Sequence, residues 1–156
     1  MRHHAFLLFA LLSACVSACS SAPTSSCPGP DCTCAGTNCM CTAGRSCTHD
    51  CGASCNLGCG AGGSCNYMCN GSCNVDCPAG STCVVTTEES SNVDCIDADC
   101  DVTVGPSSNV DCLETATCDV TCTSSCNLDC STGSACTLRC AGATARDATG
   151  MTLTCP

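Results

Sequence analysis

The 156-residue chain has few of the side chains that normally fill a protein interior. It has no Trp, and after Phe6 and Phe9 its only aromatic residue is Tyr67. Beyond residue 19 it has only fourteen Val, Ile and Leu residues. Folding must offset about 1–2 kcal/mol of backbone entropy per residue, so this apolar content excludes a conventional hydrophobic core.

Basic residues are equally scarce. Lys is absent, and after residue 2 only Arg45, Arg139 and Arg146 oppose fourteen Asp and Glu, which gives a net charge of −10. A surface this acidic repels phosphate backbones and anionic lipid headgroups. We therefore expect no nucleic-acid partner, and any membrane attachment has to come from the N-terminal segment.

Cysteine is the residue that the chain has in excess. Its 26 cysteines exceed the level that marks a disulfide scaffold in a short secreted chain. We expect cystines to stabilise the fold in place of apolar side chains. Their regular spacing also argues against the disorder that low hydrophobicity and high charge otherwise indicate.

The first 19 residues have the features of an export signal. A polar start at Met1–His4 precedes the apolar stretch Ala5–Leu12, which is much shorter than the roughly 20 residues of a membrane-spanning helix. Leu12–Cys15 and Val16–Cys19 then each place an aliphatic and two small residues before a cysteine. This pattern resembles the lipobox of bacterial lipoproteins. The resemblance implies cleavage before the cysteine, lipidation of its sulfur, and acylation of the new N-terminus.

Either cysteine fits the lipobox. Leu12 favours Cys15, whereas the very short leader that this choice leaves favours Cys19. Ordinary secretion without a lipid is the alternative, because small residues also mark ordinary cleavage sites. The lipoprotein resemblance implies a lipid-anchored protein of the bacterial envelope, at the outer membrane and facing the periplasm or the surface.

An 18-residue repeat follows the leader. From Cys47 the cysteine steps are 4, 4, 4 and 6, and coils begin at Cys47, Cys65, Cys83, Cys100, Cys118 and Cys136. The third coil is one residue shorter. Such a fixed period is typical of a solenoid. We predict a signal peptide at 1–18, a flexible tether at 19–31, a cysteine-rich cap at 32–46, the repeats at 47–140 and a second cap at 141–156.

Each five-residue unit of the repeat alternates. Segments such as Cys73–Cys77 place Cys, an aliphatic residue and Cys on one face, with Asn and Asp between them. This pattern predicts a half-buried strand, and the Gly, Ser, Ala and Pro residues between units predict turns. The sequence therefore predicts a small disulfide-rich all-β fold, a flattened β-solenoid of about six coils with two short strands each. An irregular string of disulfide loops is the alternative.

Comparison of the coils indicates which cysteines pair. The second and third cysteines are both present in coils one, two and five and both absent from coils three and four, as a bond between them would produce. The fourth cysteine and the next first cysteine are always both present. The predicted pairs are Cys51–Cys55, Cys69–Cys73, Cys122–Cys126, Cys41–Cys47, Cys59–Cys65, Cys77–Cys83, Cys95–Cys100, Cys112–Cys118, Cys130–Cys136 and Cys140–Cys155.

Two bridges of unassigned connectivity join Cys27, Cys32, Cys34 and Cys39. This count uses every cysteine after Cys19, so parity favours Cys19 as the lipidated residue. Bonds between stacked coils, about 4.8 Å apart, are an alternative connectivity.

Metal binding is the main rival to a purely structural scaffold, either by thiolate sequestration or by calcium on the ladder that a solenoid would form from Asp76, Asp94, Asp111 and Asp129. Cys32–Cys34 and Cys39–Cys41 look like the C-x-C pairs of metallothioneins, but no C-x-x-C occurs and Lys is absent. Asp94, Asp97, Asp99 and Asp101 are weak calcium candidates, because an EF-hand-like start lacks its turn Gly and terminal Glu. We expect no cofactor and no resident metal.

The sequence offers little for catalysis. His49, beside Asp50, is the only His after residue 4, and no nucleophile-elbow, zinc-protease or phosphate-binding motif is present. We therefore expect no enzyme but a structural or interaction module, with the membrane bound through its lipid and a protein or envelope partner that the sequence does not identify.

Overall fold

The computed structural model describes residues 30–156, so the predicted signal peptide, Cys15, Cys19 and most of the predicted tether lie outside the described residues. Within residues 30–156 every regular element is a β-strand. In chain order the strands are β1 (Cys32–Ala35), β2 (Asn38–Cys41), β3 (Ser46–Cys51), β4 (Asn56–Gly58), β5 (Ser64–Cys69), β6 (Asn74–Cys77), β7 (Thr82–Thr87), β8 (Asn92–Ile96), β9 (Asp99–Val104), β10 (Ser108–Leu113), β11 (Thr117–Cys122), β12 (Cys126–Cys130), β13 (Ala135–Cys140), β14 (Arg146–Ala148) and β15 (Met151–Cys155).

The strands form two sheets, and the chain alternates between them. The 8-stranded sheet has the order β1-β2-β4-β6-β8-β10-β12-β15, and the 7-stranded sheet has the order β14-β13-β11-β9-β7-β5-β3. Each coil thus adds one strand to each sheet, which confirms the flattened β-solenoid of about six coils with two strands per coil. The alternative of irregular disulfide loops is wrong.

Neighbouring coils pair in parallel with an offset of 18 residues that falls to 17 once in each sheet, between Cys83 and Cys100 and between Asn92 and Asn109. The deletion lies in a corner, where the bonded pair Cys95–Cys100 is 5 residues apart in place of 6. Asp97 in this corner has a φ of 51°, the left-handed conformation that Gly80 has in the preceding one. Because the corner absorbs the deletion, the strands on both sides keep their register and the same residues stay buried.

The interior is narrow and is filled mainly by inward-pointing cysteines and aliphatic residues. Strands such as β5 and β7 alternate strictly between exposed and buried residues, as the sequence pattern predicts. The aliphatic residues of the two sheets form two fully buried columns. These are Val75, Val93, Val110 and Leu128 in the 8-stranded sheet, and Val85, Val102, Val120 and Leu138 in the 7-stranded sheet.

Cystines close the coils at their corners. At the first corner of a coil, the chain passes from the 7-stranded to the 8-stranded sheet across Cys51–Cys55, Cys69–Cys73 or Cys122–Cys126. At the second corner it returns across Cys41–Cys47, Cys59–Cys65, Cys77–Cys83, Cys95–Cys100, Cys112–Cys118 or Cys130–Cys136. These are the pairs that the comparison of coils predicts, and each lies within one corner and does not connect stacked strands.

Hydrogen bonds between coils replace the missing cystines at the first corners of coils three and four. The Ser91 hydroxyl accepts a hydrogen bond from the backbone N–H of Cys73 at 3.0 Å and donates one to the carbonyl of Gly71 at 3.0 Å. The Ser108 hydroxyl accepts one from the N–H of Ser91 at 3.2 Å. The two buried serines therefore connect a corner to its neighbour, whereas a cystine connects the two sides of one corner.

Short antiparallel segments cap the described solenoid. At its N-terminal end β1 folds back along β2, and at its C-terminal end β15 lies along β12 and β14 along β13. Cys34–Cys39 joins the first hairpin and Cys140–Cys155 ties the last strand down. Cys32 is also disulfide-bonded.

Thr87 supplies a stability test, because its buried hydroxyl has no hydrogen-bond partner. The equivalent residue of the next coil is Val104. We expect Thr87→Val to increase the free energy of unfolding by about 1 kcal/mol, since it removes an unsatisfied polar group with little change in shape. Guanidinium unfolding with the disulfides intact measures the difference.

Thr86→Val is the matched control. Thr86 is exposed on the opposite face of the same strand, and we expect its substitution to change the free energy of unfolding by less than roughly 0.5 kcal/mol. If both variants stabilised the protein equally, the effect would come from the β-propensity of Val and not from removal of the buried hydroxyl.

Candidate functional site

Two polar columns run along the outer face of the 8-stranded sheet. They arise because the repeated Asn-x-Asp segment places both polar side chains outward while the aliphatic residue between them is buried. The Asn ladder consists of Asn38, Asn56, Asn74, Asn92, Asn109 and Asn127, and the Asp ladder of Asp76, Asp94, Asp111 and Asp129. Together they form a regular polar surface along this sheet.

The Asn ladder is a continuous chain of side-chain hydrogen bonds. Each amide nitrogen donates to the amide oxygen of the preceding coil, over distances of 2.6, 2.9, 3.1, 3.1 and 2.9 Å from the N-terminal end onward. All five bonds have the same direction along the stack. The ladder therefore fixes the amide positions on an otherwise solvated face.

The Asp ladder stacks carboxylates of like charge at the spacing of the strands, about 4.8 Å. The two ion pairs within residues 30–156, Arg45–Asp31 and Arg139–Asp119, both lie outside it. At the C-terminal end Thr152 donates a hydrogen bond to Asp129 at 3.3 Å. The ladder is therefore a line of negative charge without a basic side chain against it in the described part of the chain.

Two carboxyl groups in the ladder are less acidic than usual. Partial burial raises the pKa of Asp94 above its ordinary value, and the carboxylates of Asp111 and Asp76 raise it further. Partial burial also raises the pKa of Asp111, with a further contribution from Asp129. Both shifts indicate that the folded protein disfavours the charged form, as expected for like charges at this spacing.

The structure does not gather the four calcium candidates of the sequence into one loop. Asp94 belongs to the 8-stranded sheet and Asp101 to the 7-stranded sheet. Asp97 forms the left-handed turn between them and accepts a hydrogen bond from Thr115. Asp99 begins β9. The corner thus separates residues that are close in sequence, and Asp94 has Asp76 and Asp111 as its carboxylate neighbours.

Every cysteine in residues 30–156 is disulfide-bonded, including both members of each C-x-C pair. A disulfide sulfur is a poor metal ligand, because metal binding requires the thiolate. Several cysteine triples lie close enough to share an ion, but they consist of sulfurs from corner cystines. The oxidised protein therefore offers no thiolate site in its described part.

The side chains of His49 and Asp50 lie on opposite faces of β3, because side chains alternate along a strand. His49 is only 1% exposed and lies in the same inward column as Tyr67, whereas Asp50 is exposed. The Nε2 atom of His49 lies 3.4 Å from Sγ of Cys39. Sequence reasoning missed this contact, although the repeat register, which aligns His49 with Tyr67, already indicates that His49 points inward.

A groove of about 430 Å³ lies at the N-terminal end of the Asp ladder, beside Asp76. Gly58 occupies the position equivalent to Asp76, and a Cβ atom there would lie 2.5 Å from the Met40 thioether, which covers it. Burial raises the pKa of Tyr67 to about 12, so its hydroxyl stays protonated and donates to the Gly58 carbonyl at 2.9 Å. The groove floor is therefore held from inside the solenoid.

Asp94→Asn tests the repulsion within the Asp ladder. The pKa of Asp94 and of Asp111 is higher in the folded protein than its ordinary value of 3.8. These two groups therefore contribute fully to the free energy of unfolding below pH 3.8, and this contribution is lost as the pH rises through the folded-state pKa. We expect Asp94→Asn to raise the free energy of unfolding by roughly 0.2–1 kcal/mol at pH 7. Denaturant unfolding at neutral and acidic pH should show the gain shrinking toward acidic pH.

Asp50→Asn is the control for net charge. It removes the same charge from an exposed position on the other sheet, where Met68 is its neighbour on the next strand. An equal, pH-dependent gain from Asp50→Asn would mean that the total charge, and not the ladder, limits stability.

Comparison with known proteins does not assign the chain to a family. No protein-family model matches it, and comparison with the curated proteins and with the solved structures gives no match. Among residues 30–156 there is no helix with the length and apolar composition needed to cross a membrane.

Proposed function

We propose that the chain is an exported, lipid-anchored structural or interaction module of the bacterial envelope, stapled by disulfides and without catalytic activity. The observation that carries the proposal is the disulfide-bonded state of every described cysteine in a stacked solenoid. A small disulfide-rich domain of this kind is compatible with an extracellular structural module. Cystines at this density persist in oxidising compartments such as the periplasm and the cell surface.

The N-terminal segment supports the anchor. Val16–Cys19 and Leu12–Cys15 both resemble a lipobox, and Ser20–Ser26 is small and polar, as a flexible tether is. The bonded partners already account for every cysteine from Cys34 onward, and Cys32 is bonded as well. If Cys27 is the partner of Cys32, every cysteine after Cys19 is bonded, and parity favours Cys19 over Cys15 as the lipidated residue.

The outer face of the 8-stranded sheet is the interaction surface in this proposal. Its amides and carboxylates repeat at a fixed spacing on a rigid support, so binding requires little ordering of the side chains. The face is acidic and its Asn ladder is already hydrogen-bonded, which favours a cationic protein or envelope partner over nucleic acid or anionic lipid.

Calcium binding along the Asp ladder is the second candidate. Burial raises the pKa of Asp94 and of Asp111, the neighbouring carboxylates of the ladder raise it further, and a cation between these carboxylates would relieve their repulsion. Calorimetric titration of the full oxidised chain with Ca²⁺ tests it. A saturable signal that Asp94→Asn weakens would support this candidate, and no saturable signal would eliminate it.

Intact mass of the protein isolated from bacterial membranes tests the main proposal. Without reduction, we expect no alkylation by N-ethylmaleimide and a mass equal to the acylated chain from Cys19 onward. Cys19→Ser should move the protein out of the membrane fraction, whereas Cys15→Ser should leave it there.

A soluble protein whose mass shows no lipid would contradict the anchor and indicate ordinary secretion. Many alkylatable thiols, appearing only after a chelator is added, would contradict the disulfide scaffold and favour a metal-sequestering protein.

A further inference from the structure

The Cys34–Cys39 cystine differs from the other described cystines in its exposure. Cys34 is the one cysteine in residues 30–156 that is exposed, while Cys39 is only 4% exposed. The two lie directly opposite each other in the β1–β2 hairpin, with their Cα atoms 4.1 Å apart. One residue of this pair is therefore exposed to solvent, and the other lies inside the solenoid.

The buried sulfur has a nitrogen donor beside it. His49 projects from β3 into the core, and its Nε2 atom lies 3.4 Å from Sγ of Cys39. A disulfide sulfur carries no proton, so in this contact Nε2 is the donor and Sγ accepts. If the disulfide opens, the same N–H faces a thiolate, and a hydrogen bond to a charged acceptor is roughly twice as strong as one to a neutral acceptor.

We propose that Cys34–Cys39 is a thiol–disulfide exchange site whose leaving group is stabilised by His49. An external thiolate attacks Sγ of Cys34 and forms a new S–S bond to it. The Cys34–Cys39 bond breaks, and its electron pair stays on Sγ of Cys39, where the His49 N–H donates to it. A second external thiolate then attacks the mixed disulfide, forms the external disulfide and releases Cys34. The two external thiols are oxidised, and Cys34 and Cys39 take up the two electrons and two protons.

The Cys140–Cys155 cystine provides a comparison within the same molecule. Here a donor is also present, because an Nη atom of Arg146 lies 3.5 Å from Sγ of Cys140. The arrangement is reversed, however: the donor lies at the half-buried Cys140, and the sulfur that would have to be attacked belongs to Cys155, which is 5% exposed. Among the cystines whose two cysteines both lie in residues 30–156, a stabilised leaving group therefore coincides with an exposed target cysteine at Cys34–Cys39 alone.

The position of the pair confines the effect of opening it. The β1 strand ends the 8-stranded sheet and pairs with β2 in the described part of the chain. The next corner, Cys41–Cys47, keeps its own cystine, with both sulfurs buried. Exchange at Cys34–Cys39 can therefore release the hairpin while the coils behind it remain closed.

Timed reduction of the full oxidised chain tests the proposal. The probes are glutathione and a thioredoxin-type protein dithiol, each at limiting concentration, followed by N-ethylmaleimide quenching and peptide mapping. We expect alkylated Cys34 and Cys39 to appear at least about tenfold faster than the cysteines of Cys59–Cys65 and Cys140–Cys155. Reduction by glutathione identifies a small-molecule thiol as sufficient, and reduction only by the dithiol identifies a protein thiol.

His49→Phe tests the donor, because it keeps a ring in the core but removes both nitrogens. We expect it to slow reduction of Cys34–Cys39 about tenfold while the other cystines keep their rates. Tyr67→Phe is the matched control, since it removes a polar atom from the same column one coil away, and we expect its rate to stay within about twofold of the unaltered protein.

Two outcomes would overturn the proposal. The first is reduction of Cys34–Cys39 no faster than that of the buried cystines in the unaltered protein, a result that needs no variant. The second is an unchanged rate in His49→Phe, or in His49→Leu, which also lacks a donor, where the Phe variant does not fold by circular dichroism.

Discussion

The corner cystines are the interaction on which the rest of the structure depends. A fully buried Val or Leu contributes about 1.5–3 kcal/mol, and this interior holds little more than two columns of such residues. Each cystine fixes the chain where it turns from one sheet to the other, and so reduces the conformational freedom of the unfolded chain. A strand that has a cystine corner at both ends keeps its register even when it is as short as Asn56–Gly58.

The same constraint frees the outer faces for other uses. Since the cystines and aliphatic residues occupy the inward positions, the outward positions do not have to supply cohesion. The 8-stranded sheet uses them for amides that bond along the stack and for carboxylates that repel along it. Alternate residues of the same strand therefore supply stability on the inner face and polar chemistry on the outer face. The stability supplied by the cystines offsets the repulsion within the Asp ladder.

The sequence predicts the repeating part of this molecule well, because each coil serves as a control for the others. Coils three and four have Thr87 and Ser91, and Val104 and Ser108, where the other coils have their second and third cysteines. This joint loss indicates that those two cysteines pair across the first corner. The polar face follows from the same alternation. What the sequence does not predict lies where the repeat is broken: Asp97 forms a left-handed turn in the shortened corner. The contact of His49 with Cys39 depends on how a hairpin without a repeat partner folds onto the first coil.

The cystines within residues 34–155 are all local in sequence, and this determines what a cut in the backbone does. The corner cystines span 4 to 6 residues each, and Cys140–Cys155 spans 15. A protease that cuts within 52–54 leaves two fragments still joined through Cys51–Cys55. The exposed corner at 88–90 has no cystine across it, so a cut there severs the chain into halves held together only by strand pairing and packing. Among the corners of the described coils, the two without a cystine are therefore the ones where a single backbone cut separates the chain into unlinked fragments.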